Sequence, residues 1–133
     1  MRYHLDTNTC VDFLRGRSEP LRDRLRSQLP REVRIPSMVK AELLFGAARS
    51  RDPDGETAKV EAFLDAFVIE PFGGAAARRY AAIRAVLAAQ GQVIGPNDLV
   101  IAATVLAAEG ILVTDNTREF ERVPGLALAN WRE

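Results

Sequence analysis

The chain has one cysteine, one histidine and one tryptophan in 133 residues, and its charges cancel. A lone cysteine, Cys10, allows no internal disulfide and no thiolate metal cage, which suits a reducing compartment. It falls on the apolar side of a helix and reads as packing. The single histidine, His4, lies inside an apolar strand, where a satisfied core histidine is expected rather than a general base. Eighteen Lys and Arg balance eighteen Asp and Glu, so the chain is not a generally basic nucleic-acid binder. No apolar run approaches the roughly 20 residues of a membrane span. Asp6-Thr7-Asn8 comes too early for the apolar part of a signal peptide, so a cytoplasmic protein is expected. Aromatics are only 7% of the chain while alanine is abundant, as in a helix-rich, tightly packed domain.

The length suits one domain, residues 1–133, with a core that needs no staples. Charge is uneven along it. Arg15, Arg17, Arg22, Arg24, Arg26, Arg31 and Arg34 face only Glu19, Asp23 and Glu32 over the same stretch. Short apolar strands are expected at Tyr3–Leu5, Val33–Ile35, Val68–Glu70, Ile111–Val113 and about Leu126–Ala129. Between them the pattern predicts helices ending near Gly16, opening at Ser18-Glu19-Pro20, and over 38–48, 57–67, 75–90 and 99–109. A short helix closing at Phe120 completes the set. Ser37 reads as an N-cap, Gly16, Gly91 and Gly110 as helix stops, and Asn116 with Glu119 as a capping box. Strands alternating with helices argue an α/β fold with a mostly parallel sheet covered by helices on both faces.

Four acids stand out. Asp6 and Asp115 each follow an apolar strand and precede a helix, so a parallel sheet points both out of one edge, where such sheets bind ligands. Glu42 and Asp98 lie near the N-terminal ends of two helices, where the helix dipole favours carboxylate charge. Like charges about 4 Å apart repel by roughly 4 kcal/mol at an effective dielectric near 20. Four converging carboxylates therefore call for protons or a cation. An all-oxygen cluster suits Mg²⁺, with Mn²⁺ as the alternative, and the chemistry to expect is phosphodiester hydrolysis. Thr7, Asn8, Thr114 and Asn116 stand beside the acids, able to orient carboxylates or waters.

Four pieces appear in order: Leu5-Asp6-Thr7-Asn8, the helix from Met38 to Ala47 around Glu42, Gly95-Pro96-Asn97-Asp98-Leu99, and Val113-Thr114-Asp115-Asn116-Thr117-Arg118-Glu119-Phe120. Together they resemble a PIN-domain protein of the VapC type, the toxin half of a bacterial type II toxin–antitoxin pair, over nearly the whole chain. The resemblance implies a three-layer α/β/α domain and a Mg²⁺-dependent endoribonuclease. Asp6, Glu42, Asp98 and Asp115 match the family's acidic catalytic positions, with Asp6 and Asp98 as metal ligands. Some relatives carry asparagine at the place of Asp115. The subgroup implies tRNA as substrate, in particular the anticodon stem-loop of initiator tRNA. The implied partners are a VapB-type antitoxin, which puts an arginine into the acidic pocket, and a second copy in a homodimer or higher assembly. Operator DNA would be met only through the antitoxin. Leu43, Leu44 and Phe45 are candidates for the groove filled by the antitoxin's arm.

Two rivals remain. A haloacid-dehalogenase-type phosphatase would use Asp6 as nucleophile, but it wants a second aspartate where this chain has Asn8. It also wants a lysine before its final acids, and the only lysines are Lys40 and Lys59. The other rival is a toxin-like protein that serves mainly within a DNA-bound regulatory complex and has little nuclease activity.

Overall fold

In the computed structural model, which describes residues 1–133, strands and helices alternate as expected. The order is β1 (Tyr3–Leu5), α1 (Thr7–Leu14), α2 (Glu19–Ser27), β2 (Val33–Pro36), α3 (Ser37–Ala48), α4 (Pro53–Leu64), β3 (Val68–Glu70), α5 (Gly74–Ala89), α6 (Pro96–Ala107), β4 (Ile111–Val113), α7 (Thr117–Phe120) and β5 (Ala127–Ala129). The five strands form one sheet, β3-β2-β1-β4-β5, parallel throughout rather than mostly so. Helices flank it in a three-layer α/β/α arrangement. The chain winds outward from β1 through β2 to β3, then crosses to the other side for β4 and β5. The strand order therefore reverses between β1 and β4. In open α/β sheets the crevice beyond the strand ends at such a switch point is where ligands bind.

The strands are apolar on both faces because both are covered. Leu5, Val33, Ile35, Leu112 and Val113 are all at most 1% exposed. Helix α6 supplies much of the remaining core. Leu99, Ile101, Ala102, Ala103, Thr104 and Val105 are buried along it, as its nearly all-round apolar sequence requires. Thr104 is tolerated there because its hydroxyl donates to the Val100 carbonyl at 2.8 Å. Each fully buried Leu, Ile or Val contributes about 1.5–3 kcal/mol relative to exposure. Cys10 is fully buried and free, as its apolar setting suggests. No helix is long and apolar enough to cross a membrane.

Helix starts differ from the sequence expectation at three places, each for a local reason. Helix α4 begins at Pro53 rather than residue 57, because Asp52 accepts from the Gly55 N–H and proline suits the first turn. Helix α6 begins at Pro96 rather than residue 99 for the same proline reason, which puts Asp98 inside its first turn. Ser37 is already helical; its hydroxyl accepts from the Phe72 N–H at 3.3 Å instead of capping α3. On α2, Leu21 and Leu25 are buried, but Leu29 lies beyond the helix end and is half exposed.

Gly16 and Gly91 end their helices in the left-handed region, as expected. Gly110 does not: Glu109 takes the positive φ of 56°. The need for glycine at 110 is steric, since a Cβ there would run into the His4 ring. That ring is itself held. His4 is fully buried, and its Nε2 lies 3.0 Å from Glu70 Oε1, which also meets Arg34 at 3.4 Å. The histidine is in the core as expected, with Nε2 paired and Nδ1 buried without a partner, and burial holds its pKa below the usual value. Gly110→Ala should therefore destabilise the protein by about 1–3 kcal/mol, an overpacking cost. An unchanged denaturant midpoint would show that the ring moves aside freely.

Candidate active site

Asp6 follows β1 directly and does two jobs. Its Oδ1 accepts from the Thr9 N–H at 2.8 Å, capping α1, while the residue also lines a cleft of about 140 Å³. Thr7, Asn8, Glu42, Asp98, Asn116 and Phe120 complete the lining. The cleft thus opens beyond the ends of β1 and β4, at the switch point. Three of the four expected acids, Asp6, Glu42 and Asp98, come together there.

Each is placed by a different element. Glu42 projects from the second turn of α3. Its Oε1 accepts from the Thr7 hydroxyl at 2.6 Å and its Oε2 from the Asn97 amide at 3.3 Å, so α1 and α6 both aim it. Asp98 sits in the first turn of α6, beside Glu119. Burial raises its pKa to about 6, and the charges of Glu119, Glu42 and Asp6 push the same way. Asp6 is only 4% exposed, and burial raises it too, against the lowering effect of hydrogen bonds from Thr114 and Thr9. These shifts mark a site built to hold more negative charge than water alone would compensate.

Asp115 is not in the cleft. Its carboxylate pairs with the Arg132 guanidinium and is nearly half exposed. It stands near enough to push the Asp6 pKa up, yet it is not among the residues lining the cleft. Glu119, which the capping-box reading assigned to helix capping, joins the acids instead. Its Oε1 accepts from the Gly95 N–H at 2.7 Å and its Oε2 from the Asn116 amide at 2.9 Å. The Gly95 bond holds its pKa below the ordinary value. Asn116 consequently makes no side-chain cap to α7. The i,i+3 spacing of Asn116 and Glu119 was the available signal that the two share one side of the turn.

No three His, Cys, Asp or Glu side chains form a ready-made metal cage. A small, hard cation such as Mg²⁺ is usually held by one or two carboxylates, keeping waters and taking further ligands from phosphate. Asp6 and Asp98, carried by different elements, both line the cleft.

A larger groove, about 500 Å³, runs between α1, α3 and α4 and shares Glu42 with the cleft. Val11, Leu14, Leu43, Ala47 and Val60 give it an apolar lining. Of the three expected groove residues, Leu43 lines it. Leu44 packs against the core, and Phe45 is 63% exposed with the Arg49 guanidinium over its ring.

An all-parallel sheet with an acidic cleft at its switch point is a frame shared by several enzyme classes, and comparison with known proteins identifies which one. Residues 3–126 match the family model for the PIN domain, and the chain belongs to that family. Within it, the chain falls among VapC ribonucleases. It is 35% identical to the tRNA(fMet)-specific endonuclease VapC of Salmonella typhimurium over 131 residues, 98% of each chain. Ribonuclease VapC2 of Rickettsia felis is also 35% identical, over 132 residues and again 98% of each chain. Among solved structures, a DNA-bound VapBC complex from Salmonella typhimurium superposes with a TM-score of 0.93 at 34% identity, covering 98% of each chain.

Proposed function

We propose that this chain is the toxin of a type II toxin–antitoxin module, a divalent-metal-dependent endoribonuclease acting on tRNA. The observation that carries the reading is the meeting of Asp6, Glu42 and Asp98 from three different elements in one cleft. A relative of the same length is named for initiator tRNA, which makes that tRNA the first substrate to test. Asp6 and Asp98 would hold Mg²⁺, or Mn²⁺ in its place. When bound, the ion supplies an acidified water and neutralises charge developing on the scissile phosphate. Glu42, aimed by Thr7 and Asn97, is placed to take up the proton of the attacking water. Glu119, steadied by Gly95 and Asn116, keeps Asp98 oriented. Thr9 and Thr114 hold the Asp6 carboxylate in place.

The partner is a VapB-type antitoxin. Its arm would lie in the groove between α1, α3 and α4 and reach the cleft past Glu42, where a guanidinium would stand in for the metal's charge. The apolar lining at Leu43 and its neighbours suits an amphipathic segment. The solved DNA-bound VapBC complex from Salmonella typhimurium supports a DNA-bound assembly with that partner; within it the toxin would be a homodimer that meets operator DNA only through the antitoxin. A tRNA substrate places the work in the cytoplasm. The retained carboxylates favour nuclease activity over a purely regulatory role within such a complex.

The test is cleavage of total bacterial RNA by the antitoxin-free protein, with Mg²⁺ and with the metal chelated. A discrete tRNA fragment that appears only with metal is the expected result, and mapping its ends would give the site. A folded protein that binds metal and leaves all RNA intact would favour the regulatory role.

A further inference from the structure

The C-terminal residues return to the cleft from the far end of the chain. Trp131 is buried against Tyr3, ring centroids 5.0 Å apart, with the Arg24 guanidinium 5.6 Å above its own ring. This anchor delivers Arg132, whose side chain is only 17% exposed, to the edge of the cleft. There one guanidinium engages three groups. It pairs with Asp12 of α1 and with Asp115 beyond β4, and it donates to the Asn8 carbonyl at 3.2 Å.

We infer that Arg132 is a positioning residue that keeps Asp115 out of the acidic cleft and so limits the negative charge the cleft presents to metal and RNA. The inference rests on the nuclease reading. The arrangement explains why the acid next to the end of β4 is drawn off to Arg132 while Glu119, four residues on, stands beside Asp98. Asp115 is close enough to affect Asp6. Without a cation to hold it, its carboxylate is free to turn toward the cleft. One more uncompensated carboxylate there would attract a divalent cation more strongly and repel the phosphate of the substrate. A guanidinium suits this task better than an ammonium, because its planar fork serves two carboxylates and a carbonyl at once.

The experiment compares the wild type with Arg132→Gln, Arg132→Lys, the double variant Arg132→Gln/Asp115→Asn, and Asp12→Asn. Two quantities are read: Mn²⁺ affinity by calorimetry on the RNA-free protein, and KM and kcat for a tRNA substrate. Arg132→Gln should bind Mn²⁺ roughly tenfold more tightly and show a KM raised by a similar factor, with kcat changed less. The double variant should return both values toward wild type, and Arg132→Lys should lie between. Asp12→Asn weakens the pairs of Asp12 with Arg132 and Arg17 but leaves the Arg132–Asp115 pair, and it should keep the wild-type Mn²⁺ affinity. Asp12→Asn shifting Mn²⁺ affinity as Arg132→Gln does would overturn the inference, since anchoring of α1 would then be the cause. So would a double variant no better than Arg132→Gln. A wild-type protein that cleaves no RNA would count against the nuclease reading alone, because the Mn²⁺ measurements still test the role of Arg132.

Discussion

Asp98→Asn should lower metal-dependent RNA cleavage by about a hundredfold or more while leaving the metal-free protein at least as stable as the wild type. The loss follows from the site's construction. Asp98 is one of two carboxylates lining the cleft that would hold the cation, and an amide offers one weak neutral acceptor in its place. Removing a single preorganised electrostatic group from an active site costs on the order of 10²–10³ in rate. The stability effect has the opposite sign because Asp98 is a strained group in the folded state. Its pKa is raised to about 6 by burial and by Glu119, Glu42 and Asp6. The folded protein therefore binds that proton more tightly than the unfolded chain, and the stability this contributes is lost as pH rises toward and through about 6. Asparagine removes that penalty. A thermal melt of the metal-free variant well above pH 6 that fell clearly below wild type would contradict it.

The same shift predicts the pH dependence of the metal site. An incoming cation must displace the Asp98 proton below about pH 6. The Mg²⁺ concentration needed for half-maximal cleavage should therefore climb as pH falls through that value and level off above it. A flat profile would mean that Asp98 stays ionised throughout.

Much of this site could be read before the structure because it follows from strand ends and helix starts. An acid straight after an apolar strand must leave a parallel sheet at its binding edge, and Asp6 does. Glu42 and Asp98 were legible for a related reason, since turn residues before each marked a helix beginning near that edge. What escaped was direction rather than position. Asp115 and Glu119 lie four residues apart around a one-turn helix. Local rules sent the first into the cleft and the second back to its own helix end. The structure departs from both because each has a partner from elsewhere. Gly95, 24 positions away, takes Glu119, and Arg132 takes Asp115. Arg132 also reaches Asp12 across 120 positions of sequence. No periodicity or capping pattern encodes contacts of that range. The start of α6 lies earlier than the apolar pattern over 99–109 indicates for a simpler reason: proline at the first helical position opens a helix ahead of its apolar residues.

Phe120→Ala should be the most damaging of these substitutions to folding, costing about 3–5 kcal/mol. Phe120 is 1% exposed and is the largest of the fully buried side chains, yet it stands on a helix of only four residues. So short a helix has no stability of its own. Its place depends on this one ring being seated in the core, and Asn116 and Glu119 depend on its place. Against a total stability of about 5–15 kcal/mol the loss is large. A melting temperature lower by on the order of 10 °C is expected. The functional effect should exceed what unfolding explains. Where the variant is still folded, α7 loses its seat, Glu119 no longer meets the Gly95 N–H, and the support beside Asp98 is gone. Phe120→Leu, which keeps most of the apolar contact, should recover most of both properties. The two effects separate by assaying cleavage well below the melting temperature. Full activity there would mean that α7 holds its position without the ring, and that Glu119 is placed by its polar partners alone.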